Sequence, residues 1–134
     1  MQSLFELKTK ITPDLTVFEC MRKKAIELLS DAEKSQYTQA IVLHSAAGNE
    51  YGAIIRNALS EEKPDEAYLL RKIQEAKDGE ICFVLCMWQD KRIDIPSFAF
   101  RNLLLDLNEK NSESMLFVMT ADGVSEIKLS ATMK

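Results

Sequence analysis

His44 is the single histidine of the chain, so any Ser-His-Asp or Cys-His arrangement and any two-histidine metal site must run through it or be absent. Ser45 adjoins it, and Cys20, Cys82 and Cys86 are the thiols that a base at that position could activate. No spacing in the sequence brings them together, and a satisfied histidine at a strand end is the simpler reading. Asp94 is a different case, because it sits between Ile93 and Ile95 in an apolar strand, close to Arg92 and ahead of a helix carrying Arg101. Arg92, Asp94 and Arg101 could form an ionic cluster with Trp88 on the paired strand. Arg and Trp are enriched at the energetic centres of interfaces, so this is a candidate contact surface; its plain counterpart is an exposed strand face with one salt bridge. With His44 and Tyr51, these make six candidate binding residues: Trp88, Arg92, Asp94, Arg101, His44 and Tyr51.

The small-residue stretch from Ser45 to Gly52 would cradle a phosphate if it led into a helix. It lacks the lysine of a phosphate-binding loop and the three glycines of a dinucleotide fingerprint, and a strand after Asn49 would remove the helix N-terminus altogether. Cys82 and Cys86 lie four positions apart in an apolar strand, about 13 Å along it, too far for a disulfide or a shared tetrahedral metal. They read as buried thiols. The remaining carboxylates come in runs such as Asp65-Glu66 that look like solvated helix ends and loops. No catalytic residue, metal ligand set or cofactor motif is legible.

The elements that position these residues follow from periodicity. A helix is predicted from Thr12-Pro13 onward, where a hydroxyl cap precedes a proline and Leu15, Phe18, Met21, Ala25, Leu28 and Ala32 recur at helical spacing. Leu4 to Ile11 before it alternates, which reads as a strand or a short helix. From Tyr37 the chain repeats a strand, a polar turn, a return strand and a helix. The hairpins are Thr38–Leu43 with Tyr51–Arg56, Ile81–Trp88 with Arg92–Ile95, and Met115–Thr120 with Ser125–Ala131. Residues 49–59 could instead be a helix capped by Asn49. Helices are predicted at Pro64–Lys77 and, capped by Ser97, at Phe98–Leu107, the latter apolar nearly all round and so deeply packed. The segment 60–63 reads as a surface loop. Ile81–Trp88 shows no alternation, as a strand buried on both faces should not. Ser125–Leu129 alternates cleanly, which marks one wet face. The six methionines read mainly as core filler.

The expected fold is therefore α+β: a mixed, mainly antiparallel sheet of five to seven strands built from hairpins alternating with about three helices, with residues 1–134 as a single domain. Seventeen basic against 21 acidic residues give a net charge of −4, with no basic face for nucleic acid and no apolar run long enough to span a membrane. The start carries no signal peptide, which points to the cytoplasm. On this basis the chain reads as a non-enzymatic protein-binding module, a small acidic adaptor, regulator or immunity-type inhibitor. Its expected partner is another protein, or a second copy paired through an exposed strand edge. The alternative is a small-molecule-binding or enzymatic domain with a site near His44, Trp88, Arg92 and Asp94.

Overall fold

The computed structural model describes residues 2–35, 37–56 and 64–133, without the side chains of residues 2–14 and 64. In chain order these form α1 (Gln2–Asp31), β1 (Gln39–Ser45), β2 (Glu50–Ile55), α2 (Pro64–Glu75), β3 (Ile81–Trp88), β4 (Ile93–Asp94), α3 (Phe98–Leu107), β5 (Met115–Thr120) and β6 (Gly123–Lys128). Short 3-10 segments at Glu109–Glu113 and Leu129–Thr132 follow α3 and β6. The six strands make one mixed sheet in the order β2-β1-β3-β5-β6, with β4 also paired to β3. Only the β3–β5 pairing is parallel. This is the α+β architecture expected from the hairpin-and-helix pattern.

Side chains of β3 alternate between two cores. Val84 and Cys86 join Leu69, Leu70 and Ile73 of α2 and Phe100 and Leu104 of α3 on one face. Leu85 and Met87 join Phe18, Met21, Ala25 and Leu29 of α1 on the other. The lack of alternation in Ile81–Trp88 thus has its expected cause, since both faces are covered and only Cys82, Phe83 and Trp88 keep partial exposure. Where β2 passes under α1, Gly52 supplies clearance: a Cβ there would come within 2.9 Å of Leu28 Cδ1 and 3.1 Å of Lys24 Cε.

Glu50–Ile55 is a strand and not a helix, paired to β1 from His44↔Glu50 to Gln39↔Ile55. Residues 57–63, including the segment read as a surface loop, lie outside the described residues. The N-terminal reading changes. Leu4–Ile11 is neither a strand nor a separate short helix, and Thr12-Pro13 does not start one, because α1 runs unbroken from Gln2. Leu4, Leu7 and Ile11 also satisfy helical spacing, and so short a run does not discriminate between the two periods. The last strand also ends early, at Lys128, where the backbone turns: Leu129 N donates to Ser114 O at 2.8 Å and its side chain enters the core. The wet and dry faces expected of this strand are less distinct, since Val124 to Ile127 are all half-buried and Val124 and Ile127 pack on opposite cores. Helix α3 is capped by Ser97, whose Oγ accepts from Phe100 N at 3.2 Å. It is less enclosed than its composition suggests, with Phe98 57% exposed. Among the described residues, no helix is long and apolar enough to cross a membrane.

The start of β3 depends on one buried amide. Asn111 Oδ1 accepts from Ile81 N at 2.7 Å, and its Nδ2 donates to Gly79 O at 2.9 Å and Leu104 O at 2.8 Å. Ser114 Oγ donates to Ile81 O beside it. These bonds tie β3, the end of α3 and the following 3-10 segment directly to one another. Asn111→Leu should lower the unfolding free energy by about 2–3 kcal/mol, because it strands the Ile81 N–H and the Gly79 carbonyl and leaves Leu104 O with only its bond from Asn108 N. Urea denaturation with an unchanged slope would measure this, and a loss within error of zero would show that the amide is not needed.

Candidate functional site

At the C-terminal end of β3 and in β4, Trp88 and Asp94 emerge from the core while Met87 and Ile93 stay buried in it. Asp94 lies opposite Cys86 in the β3–β4 register, and Trp88 closes the hairpin by donating its backbone N–H to Arg92 O at 2.9 Å. Lys91, in the left-handed region at φ 72°, makes the turn. The Trp88 indole N–H points to Asp94 Oδ2 at 3.4 Å, and Asp94 Oδ1 accepts from Ile95 N at 2.8 Å. The Arg92 guanidinium lies 6.0 Å from the centre of the Trp88 ring, and its Nε donates to Asp90 Oδ2 at 2.7 Å. The backbone N–H of Arg92, followed by its side chain, holds the Asp90 carboxyl below the usual carboxylate range. These groups, with Ile93 and Met119, line a cavity of about 430 Å³. That volume is within the range of small-ligand sites.

The structure therefore places Trp88, Arg92 and Asp94 around one cavity and puts the other three candidates elsewhere. Arg101 is not part of an ionic cluster with Arg92 and Asp94: its Nε donates to Pro96 O at 3.0 Å and its Nη1 to Thr132 O at 2.9 Å. It ties α3 to the C-terminal segment and lies over the Phe98 ring. His44 sits at the other end of β1, opposite Phe83, in edge contact with that ring at 5.9 Å. Gln39 is the β1 residue opposite Trp88, so five strand positions, roughly 16 Å, separate His44 from the cavity. Tyr51 is also at the far end, donating its hydroxyl to Asp78 Oδ2 at 2.8 Å.

Two carboxylates away from this cavity are buried, and for Glu66 that corrects the reading of Asp65-Glu66 as a solvated helix end. Glu66 is 2% exposed on the inner side of α2, and its charge, together with Asp94, contributes to the rise of the Cys86 thiol pKa, whose main cause is burial. The signal was present in the spacing, because Glu66, Leu69, Leu70 and Ile73 fall on one helical stripe. Asp78 follows α2 and accepts from Asn49 Nδ2 at 2.9 Å as well as from Tyr51. Beside Glu66, Asp65 is clasped by Arg56 at the end of β2: Arg56 N and Nε both donate to Oδ2, at 3.0 and 3.3 Å, and Nη2 donates to Oδ1 at 2.6 Å.

With this geometry in hand, comparison with solved structures identifies the fold. The chain superposes on a cytidine deaminase from Mycobacterium leprae with a TM-score of 0.63 at 15% identity, over 87% of this chain and 96% of that one. The cytidine deaminase from Mycobacterium tuberculosis gives 0.64 at 13% identity, over 86% and 92%. The Bacillus anthracis cytidine deaminase gives 0.68 at 10%, over 87% and 86%. No protein family and no curated sequence matches the chain. The fold is thus that of the cytidine deaminases, and this overturns the expectation of a non-enzymatic protein-binding module.

Zinc-dependent base deaminases hold their metal with a His or Cys two residues before a glutamate, and with both cysteines of a Pro-Cys-x-x-Cys segment. Two segments of this chain have that frame without the ligands. Pro64-Asp65-Glu66 opens α2, and Pro96-Ser97-Phe98-Ala99-Phe100 leads into α3, so in this frame the three ligand positions would fall on Pro64, Ser97 and Phe100. Proline and phenylalanine side chains offer no donor, and the Ser97 hydroxyl is engaged as a helix cap. Among the described residues, no group of three or more His, Cys, Asp or Glu could hold a metal ion. The residues do not fit zinc.

Asp78 yields a pH dependence. The Asn49 amide, then the Ser45 and Tyr51 hydroxyls, hold its carboxyl below 3.8 in the folded chain. A folded pKa below the unfolded one gives stability that is present above 3.8 and lost as the pH falls through the lower value. Tyr51 has the opposite sign: its bond to Asp78, burial and the carboxylate charge raise it above 10.0, so its contribution is lost only as the pH climbs past the folded value. In urea midpoints measured from pH 5 downward, Asp78→Asn should fall less steeply than the parent chain. Equal slopes would remove Asp78 from the acid response and leave it to Asp65 and Asp90.

Proposed function

We propose that this chain is a small-molecule-binding or enzymatic domain that takes a cytidine-like nucleoside, or its base, in the cavity beside Trp88. One observation carries this reading: an indole, a carboxylate and a guanidinium line the same cavity at the open end of β3, in a cytidine deaminase fold. Each group matches part of cytosine. A base stacks on the indole face for about 1–3 kcal/mol. A carboxylate such as Asp94 accepts from the exocyclic amine, which uracil lacks. Arg92, already over the ring, stacks against the base or moves aside for it.

The fold likeness, at 10–15% identity, supports the ligand class only through this chemistry. Calorimetric titration should find cytidine bound about tenfold more tightly than uridine, a preference lost in Asp94→Asn, with affinity for both reduced about tenfold or more in Trp88→Ala. Absence of binding by any pyrimidine nucleoside, or binding untouched by both substitutions, would refute the site.

The cytoplasmic location read from the sequence belongs to this proposal, as does pairing with a second copy. β6 is an edge of the sheet, which supports strand-to-strand pairing. Sedimentation should then give twice the chain mass, and a monomer at high concentration would rule out that pairing.

A further inference from the structure

The starts of α2 and α3 hold the frame of a zinc centre and none of its ligands, and the structure shows what occupies that frame instead. Phe100 is fully buried in the core that contains Leu69 and Cys86, so an aromatic ring stands at one ligand position. Ser97 at another is fixed by its bond to Phe100 N. On the α2 side, the Arg56–Asp65 clasp ties the first turn of the helix to the end of β2 with three contacts. Cys86, the thiol on this face of β3, is completely buried in this core, with the carboxylates of Asp94 and Glu66 near enough to act on it, and both effects favour the neutral thiol over the thiolate a metal requires.

We infer that the starts of α2 and α3 make a metal-free joint, with the Phe100 ring and the Ser97 cap at two ligand positions in α3 and the Arg56–Asp65 clasp, not a metal–ligand bond, fixing the start of α2 to the end of β2. The inference rests on the fold reading but not on the proposed nucleoside. The joint provides no holder for a metal-activated water, and a ligand in the cavity beside Trp88 meets the chain's own acids, cations and rings. Glu66 stands where the deaminase frame has its glutamate, with no ligand beside it in that frame.

The test uses the full chain, purified from zinc-supplemented culture without chelator. Elemental analysis should find far less than one zinc per chain, and Tm should be the same with and without phenanthroline. Titration with cobalt(II) should give no thiolate charge-transfer absorption. Restoring the ligands in P64C/S97C/F100C should introduce one tightly held cobalt with that absorption. Because losing the Phe100 ring puts folding of the triple variant at risk, Arg56→Ala is measured beside it: the clasp predicts a lower Tm, again indifferent to chelator. Near-stoichiometric zinc in the parent chain, a Tm that falls on chelation, or a cobalt–thiolate band would each overturn the inference. Nucleoside titration of the same parent preparation separates this result from the proposed function, since either can fail while the other stands.

Discussion

Burial of β3 on both faces places the heaviest constraint on this molecule, because a strand with no wet face needs every neighbour in place at once. β1 covers one edge, while β5 covers the first half of the other edge and β4 the second half. α1 closes one face and α2 with α3 close the other. Backbone groups at the strand's entry have no water to turn to, and Asn111 and Ser114 take that place from a segment some thirty residues away. At its exit the covering stops. There Trp88 keeps a partly open ring and β4 is only two residues long, so the cavity forms where the sheet runs out of partners.

The same constraint explains what was legible in the sequence. Eight apolar residues without alternation admitted one role, and turn residues such as Gly48 and Gly123, both in the left-handed region, marked the hairpins around it. Ser97 announced α3 by its chemistry. The extent of α1 was not legible, because Leu4–Ile11 satisfies two periods and Pro13 normally argues for a helix start. In the site, Trp88, Arg92 and Asp94 could be grouped because a hairpin brings near neighbours together. His44 and Tyr51 could not be separated from them, since which end of a strand a residue occupies depends on pairing across the sheet, and Arg101 could not because its partners, Pro96 O and Thr132 O, depend on how α3 packs against the C-terminal segment. Glu66 was misplaced because neighbouring acids at a helix start ordinarily face water, and only its register with Leu69 and Ile73 opposed that reading.

The fold's function is harder to read than its architecture, for a physical reason. Two helix starts can be held by metal bonds or each by contacts of its own, a cap and a buried ring in α3 and an ion pair to β2 in α2, along much the same backbone path. Superposition recovers the cytidine deaminase fold at 10–15% identity, while Pro64, Ser97 and Phe100 are not the kinds of residue that hold zinc. In this chain the cavity lies at the carboxyl end of a central strand, lined by residues of β3, the turn after it, β4 and β5.

Gly52 has a consequence for how this surface can vary. Its missing side chain is what lets Leu28 and Lys24 of α1 lie against β2, so the volumes at positions 28 and 52 are linked. A chain that gains a methyl group at 52 has to turn the tips of Leu28 and Lys24 aside, shorten the residue at 28 or let the helix ride outward. Because α1 also covers Ala40, Leu85 and Met87, an outward shift there would open the far core from its rim.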